Sequence, residues 1–195
     1  ANLRPSMATT LTAALEAWAA LREIDVDDDS AAKRAADGLD ELIHTREESA
    51  VRAGQQAAER IPPDAHVVTI SSSFTVLVCL KTAGSRINRL TVAESRPARE
   101  GCETAETARS FGIETELMTD AAACGAMADA DAAIFGADSV LWDGALVNKV
   151  GTLALCASAS LLGKRSIAVT TSDKILPRNR RPHIEEMDPE QLGEV

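Results

Sequence analysis

Three consecutive serines, Ser71 to Ser73, stand between two apolar runs in VVTISSSFTVLVCLK, residues 67–81. The first run is short and rich in β-branched residues, which predicts a strand, and the second is compatible with a helix. Unpaired backbone N–H groups at the start of a helix, together with hydroxyl donors, can bind an anion such as a phosphate. The alternative is that one serine caps the helix and the others have no role.

A second candidate for anion binding is Arg96 in ESRP, residues 94–97, at the end of another predicted strand. A guanidinium can donate two parallel hydrogen bonds to a phosphate or a carboxylate. A surface ion pair with Glu94 or Glu100 is the alternative role for this arginine.

The densest group of candidate residues lies in GADSVLWDGALVNKVGT, residues 136–152. Asp138 follows a predicted strand after two small residues, which let a ligand approach the backbone. The WDG sequence predicts a turn. Asn148 and Lys149 are predicted to begin the next helix, where Lys149 would hold Asp138 ionised. A buried Asp–Lys pair that only fixes the loop is the alternative.

These residues are positioned by a regular alternation of predicted elements. Strands are predicted at residues 66–70, 89–95, 113–119, 132–138 and 166–171, and helices at residues 74–84, 98–112, 120–130 and 148–163. The pattern predicts an α/β fold, a Rossmann-like parallel sheet with helices on both faces. Ligands bind at the carboxyl ends of the strands in such sheets, where the candidate residues should converge.

The predicted organisation has three parts: an N-terminal helical region (residues 1–63), the Rossmann-like α/β domain (residues 64–177) and a C-terminal tail (residues 178–195). Residues 6–60 read as helix, and Pro62 and Pro63 end the pattern.

Composition restricts the function classes. The net charge is −10 over 195 residues, which indicates adaptation to high salt, with an acidic mesophilic protein as the alternative. No basic stripe is present to bind nucleic acid directly. No signal peptide or membrane-spanning run is visible, so we expect a cytoplasmic protein. The four cysteines (Cys79, Cys102, Cys124 and Cys156) lack paired spacing, which predicts small buried hydrophobes in a reducing compartment and no metal site.

The stretch from Val67 to Pro177 resembles the initiation factor 2B alpha/beta/delta family, which includes methylthioribose-1-phosphate isomerase and ribose-1,5-bisphosphate isomerase. The motifs that carry the resemblance are SRP followed by Gly101, TD before an alanine-rich helix, GAD and NKVGT. The resemblance implies a Rossmann-like sheet with a helical domain in front, and a dimer formed through the sheet domain.

The family contains both enzymes and non-catalytic regulators. The resemblance implies that the isomerases use a loop cysteine after a Thr-His pair, and the aspartate of GAD, to move protons as the aldose ring opens and becomes a ketose. In this sequence Asp138 is retained, but Ser71 stands in place of the cysteine and Ile70 in place of the histidine. A serine hydroxyl is a poor proton shuttle without a base beside it. The isomerases also carry an Arg-Gly motif in the helical domain. VRAGQQAA, residues 51–58, resembles this motif only weakly, and we do not equate the two.

We therefore expect a protein that resembles the regulatory subunits of initiation factor 2B and binds a phosphorylated small molecule, a sugar phosphate or nucleotide, or a partner protein, without catalysis. The alternative is an aldose–ketose isomerase of a phosphorylated ribose. A third hypothesis is a scaffold protein whose pocket has lost its function. No cofactor is expected, and the expected partners are a second copy in a homodimer and, as a candidate, the alpha subunit of initiation factor 2. The expected ligand-binding residues are Ser71, Ser73, Arg96, Asp138, Asn148 and Lys149, of which Ser71 and Asp138 hold the catalytic positions.

Overall fold

The computed structural model describes residues 29–182 and 184. The predicted helix that begins near residue 6 lies outside the described residues, as do residues 185–195 of the predicted tail. The described chain begins with a long helix, α1 (Asp29–Ala58), and then alternates between strands and helices.

The further helices are α2 (Phe74–Ala83), α3 (Glu100–Ser110), α4 (Asp120–Ala126) and α5 (Thr152–Leu161). The strands are β1 (Ala65–Ile70), β2 (Ile87–Ala93), β3 (Thr115–Met118), β4 (Ala132–Phe135), β5 (Ser139–Val140), β6 (Leu146–Val147) and β7 (Arg165–Ala168).

Five of these strands form one parallel sheet in the order β3-β2-β1-β4-β7. Strand β1 lies in the middle and every residue in it is buried, as expected for a parallel strand that is covered on both faces. The order of connection reverses between β1 and β4, and ligands bind at the carboxyl edge beside such a reversal.

Two apolar clusters cover the opposite faces of the sheet. Val67 and Leu90 belong to the cluster beneath α2 and α3, which also includes the end of α1. Val68 and Ile70 belong to the cluster beneath α4 and α5. Neighbouring residues on a strand point to opposite faces, so Val67 and Val68 lie in different clusters. Helices on both faces of a parallel sheet confirm the predicted α/β fold.

The segment between β4 and α5 differs from the prediction. Strands β5 and β6 pair as a short antiparallel hairpin around the predicted WDG turn. Asn148 and Lys149 do not begin the next helix, because α5 begins only at Thr152, after Gly151 with a φ of +96°. Such a left-handed backbone conformation is open to glycine and interrupts a right-handed helix. Asn148 and Lys149 therefore lie in a loop.

The cysteines are only partly as expected. Cys79 is buried, and burial raises the pKa of its thiol to about 12. Cys102, Cys124 and Cys156 are half-buried, so the expectation of a buried hydrophobe is right for Cys79 alone. None of the helices in the described part of the chain is both long and apolar enough to cross a membrane.

Candidate functional site

Ser71 begins the loop between β1 and α2 and is held there through its backbone. Its N–H donates to the Ser95 hydroxyl at 2.7 Å, and its carbonyl accepts a hydrogen bond from the Thr104 hydroxyl at 2.9 Å. Both bonds involve backbone atoms of Ser71, so they fix its position without activating its hydroxyl.

Arg96 lies in the neighbouring loop, between β2 and α3, which Asp120 holds in place. One Asp120 carboxylate oxygen accepts from the N–H of Ser95 at 2.7 Å, and the other accepts from the N–H of Arg96 at 2.9 Å. The loop leads into α3, whose second residue is Gly101, where a Cβ would overlap the carbonyl oxygen of Ala93. A glycine is therefore required for α3 to approach the end of β2 so closely.

Backbone conformations that L residues rarely adopt concentrate in these two loops. Ser71, Ser95 and Arg99 have φ values of +67°, +68° and +58°. Such conformations cost roughly 1 kcal/mol or more each and persist where surrounding contacts impose them. The hydrogen bonds from Ser71 to Ser95 and from Ser95 to Asp120 are contacts of this kind. Backbone strain of this type is typical of ligand-binding loops.

Ser73 stands at the start of α2, but its hydroxyl does not cap the helix. The hydroxyl shares a hydrogen bond of 2.9 Å with Thr75, whose own hydroxyl donates to the carbonyl of Val169. A Cβ at Gly136 would lie 2.7 Å from the Ser73 oxygen. The small residue before Asp138 therefore lets the β4 loop pack directly against Ser73.

Asp138 is half-buried beyond the end of β4, and its N–H donates to the carbonyl of Val147 at 2.8 Å. The side chain of Lys174 lies close by, because its ammonium donates to the carbonyl of Ala137 at 2.7 Å. Burial lowers the pKa of Lys174, and the negative charges of Asp138 and Asp173 oppose that shift. Lys174, which the sequence did not single out, is therefore a cation that acts on Asp138.

Lys149 faces a different carboxylate from the one expected. Its ammonium lies 2.9 Å from one Glu100 oxygen and 3.0 Å from the other, whereas we expected it to hold Asp138 ionised. The amide of Asn148 donates to the Thr152 hydroxyl at 3.0 Å, which ties this loop to the start of α5. Asn148 therefore contributes to the shape of the loop.

The predicted site residues thus lie in three loops at one edge of the sheet, and direct contacts join these loops. Ser71 is bonded to the Arg96 loop, Ser73 touches the Asp138 loop, and Lys149 is bonded to the helix that follows Arg96. Three adjoining loops that carry hydroxyl, guanidinium, ammonium and carboxylate side chains can form a site that binds an anionic, hydroxyl-rich ligand and exchanges a proton with it.

Four contributors to this edge are not among the expected ligand-binding residues, although the strand-end rule also picks out Ser95 and Asp120: Ser95, Glu100, Asp120 and Lys174. Asp120 was visible in the sequence as the first residue of a helix after a strand, and Ser95 lies inside the ESRP motif. Nothing in the sequence marks the pairing of Glu100 with Lys149, since the two residues are 49 positions apart.

Comparisons with known proteins assign the family. The sequence pattern of the initiation factor 2 subunit family matches residues 1–195. The chain belongs to this family. It is 29% identical over 162 residues to the ribose 1,5-bisphosphate isomerase of Haloferax volcanii. This match covers 82% of the chain and 50% of that protein. It is 37% identical over 117 residues to a translation initiation factor eIF-2B subunit 2-like protein of Pyrococcus horikoshii. This second match covers 59% of the chain and 42% of that protein.

A solved structure shares the fold of this family member. The translation initiation factor eIF-2B of Pyrococcus horikoshii OT3 superposes with a TM-score of 0.68 at 28% identity, covering 82% of the chain and 57% of that structure. The chain spans about half the length of the relatives it matches. Enzymes and translation factors are thus both among its relatives.

Proposed function

We propose that this chain is a sugar-phosphate-binding protein of the isomerase type, which converts ribose 1,5-bisphosphate to the corresponding ketose. The observation that carries the proposal is Asp138, kept at the carboxyl end of β4 in a chain that is 29% identical to a ribose 1,5-bisphosphate isomerase. This similarity supports the enzyme alternative over the non-catalytic regulator that the sequence first indicated.

The proposed isomerisation requires the protein to bind the sugar phosphate and to transfer protons. Conversion of this aldose to the ketose breaks the bond between carbon 1 and the ring oxygen and moves a hydrogen from carbon 2 to carbon 1. The proton of the carbon 2 hydroxyl is transferred to the ring oxygen, and a carbonyl forms at carbon 2. Reactant and product are isomers, so no oxidant or reductant is consumed. The Asp138 carboxylate is suited to accept and return a proton, and Lys174 supplies a positive charge close to it.

We assign the phosphate groups to two serines and two cations, of which Ser73 and Lys149 contact Thr75 and Glu100 in the structure. In the proposed complex, the hydroxyls of Ser71 and Ser73 and the side chains of Arg96 and Lys149 bind phosphate oxygens, because hydroxyl, guanidinium and ammonium groups all donate hydrogen bonds to anions. The loop contacts described above hold these residues in neighbouring positions. Asn148 fixes the loop that carries Lys149.

A non-catalytic regulator remains the second candidate, and Ser71 is the observation that favours it. A thiol at this position would be partly ionised near neutral pH, especially at the start of a helix, whereas a hydroxyl would not. Similarity to the eIF-2B subunit 2-like protein of Pyrococcus horikoshii supports the same alternative. In that case the ligand would be bound without turnover, and the alpha subunit of initiation factor 2 is the candidate partner.

The two candidates are separated by measuring turnover of ribose 1,5-bisphosphate with ³¹P NMR. We expect slow turnover by the wild type and faster turnover by Ser71→Cys. Asp138→Asn should lower the rate by about 100-fold or more, the usual contribution of a general acid–base, while still binding the ligand. Asp143→Asn, in the exposed hairpin turn, is the control and should leave the rate unchanged. Binding without turnover by both the wild type and Ser71→Cys would favour the regulator.

We also propose that the protein works as a homodimer in the cytoplasm. The outer surface of α4 and α5 carries no charged side chain apart from Asp120, although charged residues make up 26% of the chain. Leu153 and Leu161 are 84% and 89% exposed on this surface. An apolar surface of this kind is typical of a contact between copies.

A further inference from the structure

Glu100 and Lys149 form an ion pair that is largely enclosed by protein. The side chain of Lys149 is 9% exposed and that of Glu100 is 15% exposed. Both carboxylate oxygens of Glu100 lie within 3.0 Å of the ammonium. We propose that Glu100 is a specificity-determining residue that occupies Lys149 in the free protein and sets how strongly the site attracts anions. This inference rests on the proposed binding of a phosphorylated ligand at this edge of the sheet.

The ion pair lies at the same edge of the sheet as the candidate site. Glu100 is the first residue of α3, after β2, and Lys149 lies in the loop that leads into α5, after β4. Strands β2 and β4 are the two neighbours of β1 in the sheet. The ion pair therefore connects the loops on both sides of the β1 end, where Ser71 begins its loop.

The backbone that carries each partner is tightly packed at a nearby glycine. The residue after Glu100 is Gly101, which is pressed against the Ala93 carbonyl. Gly151 lies two residues after Lys149, and a Cβ there would lie 2.9 Å from a methyl group of Ile70. Two closely packed backbone positions thus bring the carboxylate and the ammonium together.

The consequence is electrostatic. A phosphate that approaches Lys149 is attracted by the ammonium and repelled by the Glu100 carboxylate at a similar distance, so the two effects largely cancel. In an enclosed site, salt screens these interactions less than it would at the surface. Glu100 thereby weakens the binding of a single phosphate and favours ligands that gain affinity from several other contacts.

A purely structural role is the competing explanation, since the pair also ties two loops together. The two roles differ when the charge of Glu100 is removed and its shape is kept. In Glu100→Gln the amide oxygen can still accept a hydrogen bond from Lys149, but the ammonium is no longer neutralised. Glu103→Gln is the matched control, because Glu103 is exposed in the first turn of the same helix.

The experiment measures the affinity of the full chain for inorganic phosphate by isothermal titration calorimetry at two salt concentrations. We expect Glu100→Gln to bind phosphate about ten-fold more tightly than the wild type, with a steeper dependence on salt. Glu103→Gln should bind as the wild type does. The double variant Glu100→Gln/Lys149→Gln should lose the gain, because the freed charge is gone.

The inference is overturned if Glu100→Gln binds phosphate no more tightly than the wild type, if Glu103→Gln gives the same gain, or if the gain survives in the double variant. If Glu100→Gln does not fold, Glu100→Asp is the second variant. The aspartate keeps the negative charge but, being one methylene shorter, holds it further from Lys149, so the gain in phosphate affinity should be smaller than that expected for Glu100→Gln. An unchanged affinity in Glu100→Asp would then overturn the inference.

Failure of the proposed function gives a different result. Phosphate binding by Glu100→Gln but not by the wild type would support the role of Glu100, whereas a wild-type chain that does not bind ribose 1,5-bisphosphate would count against the proposed function. A tighter Glu100→Gln variant without any turnover of ribose 1,5-bisphosphate would support the role of Glu100 and count against the isomerase alone. Absence of phosphate binding in both proteins would overturn the inference.

Discussion

Asp120 accepts a hydrogen bond of 2.9 Å from the backbone N–H of Arg96, and its second carboxylate oxygen accepts one of 2.7 Å from the adjacent N–H. These two bonds connect the loop after β2 to the start of α4, on the opposite face of the sheet from α3. The Asp120 carboxylate therefore orders the loop that carries Arg96, which we propose binds phosphate. Asp120 is not itself proposed to contact the phosphate.

The substitution Asp120→Asn tests this ordering role. An amide offers one acceptor oxygen where the carboxylate offers two, so one backbone N–H loses its partner. We expect the free energy of unfolding to fall by about 1–3 kcal/mol, and phosphate binding to weaken because Arg96 is no longer held in place. Urea unfolding and calorimetry measure the two effects. Glu106→Gln, exposed on α3, is the control, and equal behaviour of the two variants would contradict the role.

The order of the elements could be predicted from the sequence because short strand-compatible runs alternate with longer helix-compatible stretches that end at a glycine or a polar break. The hairpin of β5 and β6 could not, because strands of two residues show no alternation. The partner of Lys149 also could not be predicted. Local sequence suggested Asp138, whereas packing of α3 against β2 brings Glu100 to Lys149.

His66 lies near the amino end of β1, away from the candidate site, in a partly buried polar network. The Thr91 hydroxyl donates to Glu116 at 2.6 Å and lies 2.8 Å from Nε2 of His66. The Arg89 guanidinium lies 3.3 Å from each of the two ring nitrogens of His66. This arrangement fits a neutral ring, since a second proton would face a guanidinium.

The pKa of His66 is lowered from its ordinary value of 6.5, first by burial and then by the charge of Arg89, while Glu116, Asp131 and a backbone hydrogen bond oppose the shift. The unfolded chain therefore binds a proton at a higher pH than the folded chain does. The stability that His66 contributes is fully present above pH 6.5 and is lost as pH falls toward the folded-state pKa.

We expect wild-type stability to decrease between pH 7 and pH 5.5, and the decrease to be smaller in His66→Gln, where this ring cannot titrate. Urea unfolding at intervals of pH measures the slope. His44→Gln is the control, because the His44 side chain is 72% exposed on α1. The same slope in the wild type and in His66→Gln would contradict the assignment.

The acidic composition predicts a dependence of stability on salt. With a net charge of −10, the folded chain repels itself, and added salt screens this repulsion. We expect the melting temperature to rise from low salt to molar NaCl. Sucrose at the same osmolarity serves as the uncharged control. A melting temperature that stays flat or falls would remove the interpretation as a protein adapted to high salt.

The proposed dimer depends on the exposed surface of α4 and α5. On α5, Leu153 and Leu161 project from a helix without charged residues. On α4 the exposed residues beyond Asp120 are small: Ala121, Ala122 and Gly125. A two-fold axis can place the leucines of one copy against the small residues of the other, because each copy offers both surfaces. Two acidic chains would then meet where there is little charge to repel.

Substitution of both leucines tests this contact. We expect Leu153→Asp/Leu161→Asp to raise the dimer dissociation constant by about 100-fold or more, because two buried leucines contribute roughly 1.5–3 kcal/mol each. Light scattering over a range of protein concentrations in molar salt measures the change. Ile43→Asp, a change at a 47% exposed apolar residue on α1, is the control and should leave the dimer intact. A wild-type chain that stays monomeric at high concentration, or a dimer that tolerates both aspartates, would exclude this surface as the contact.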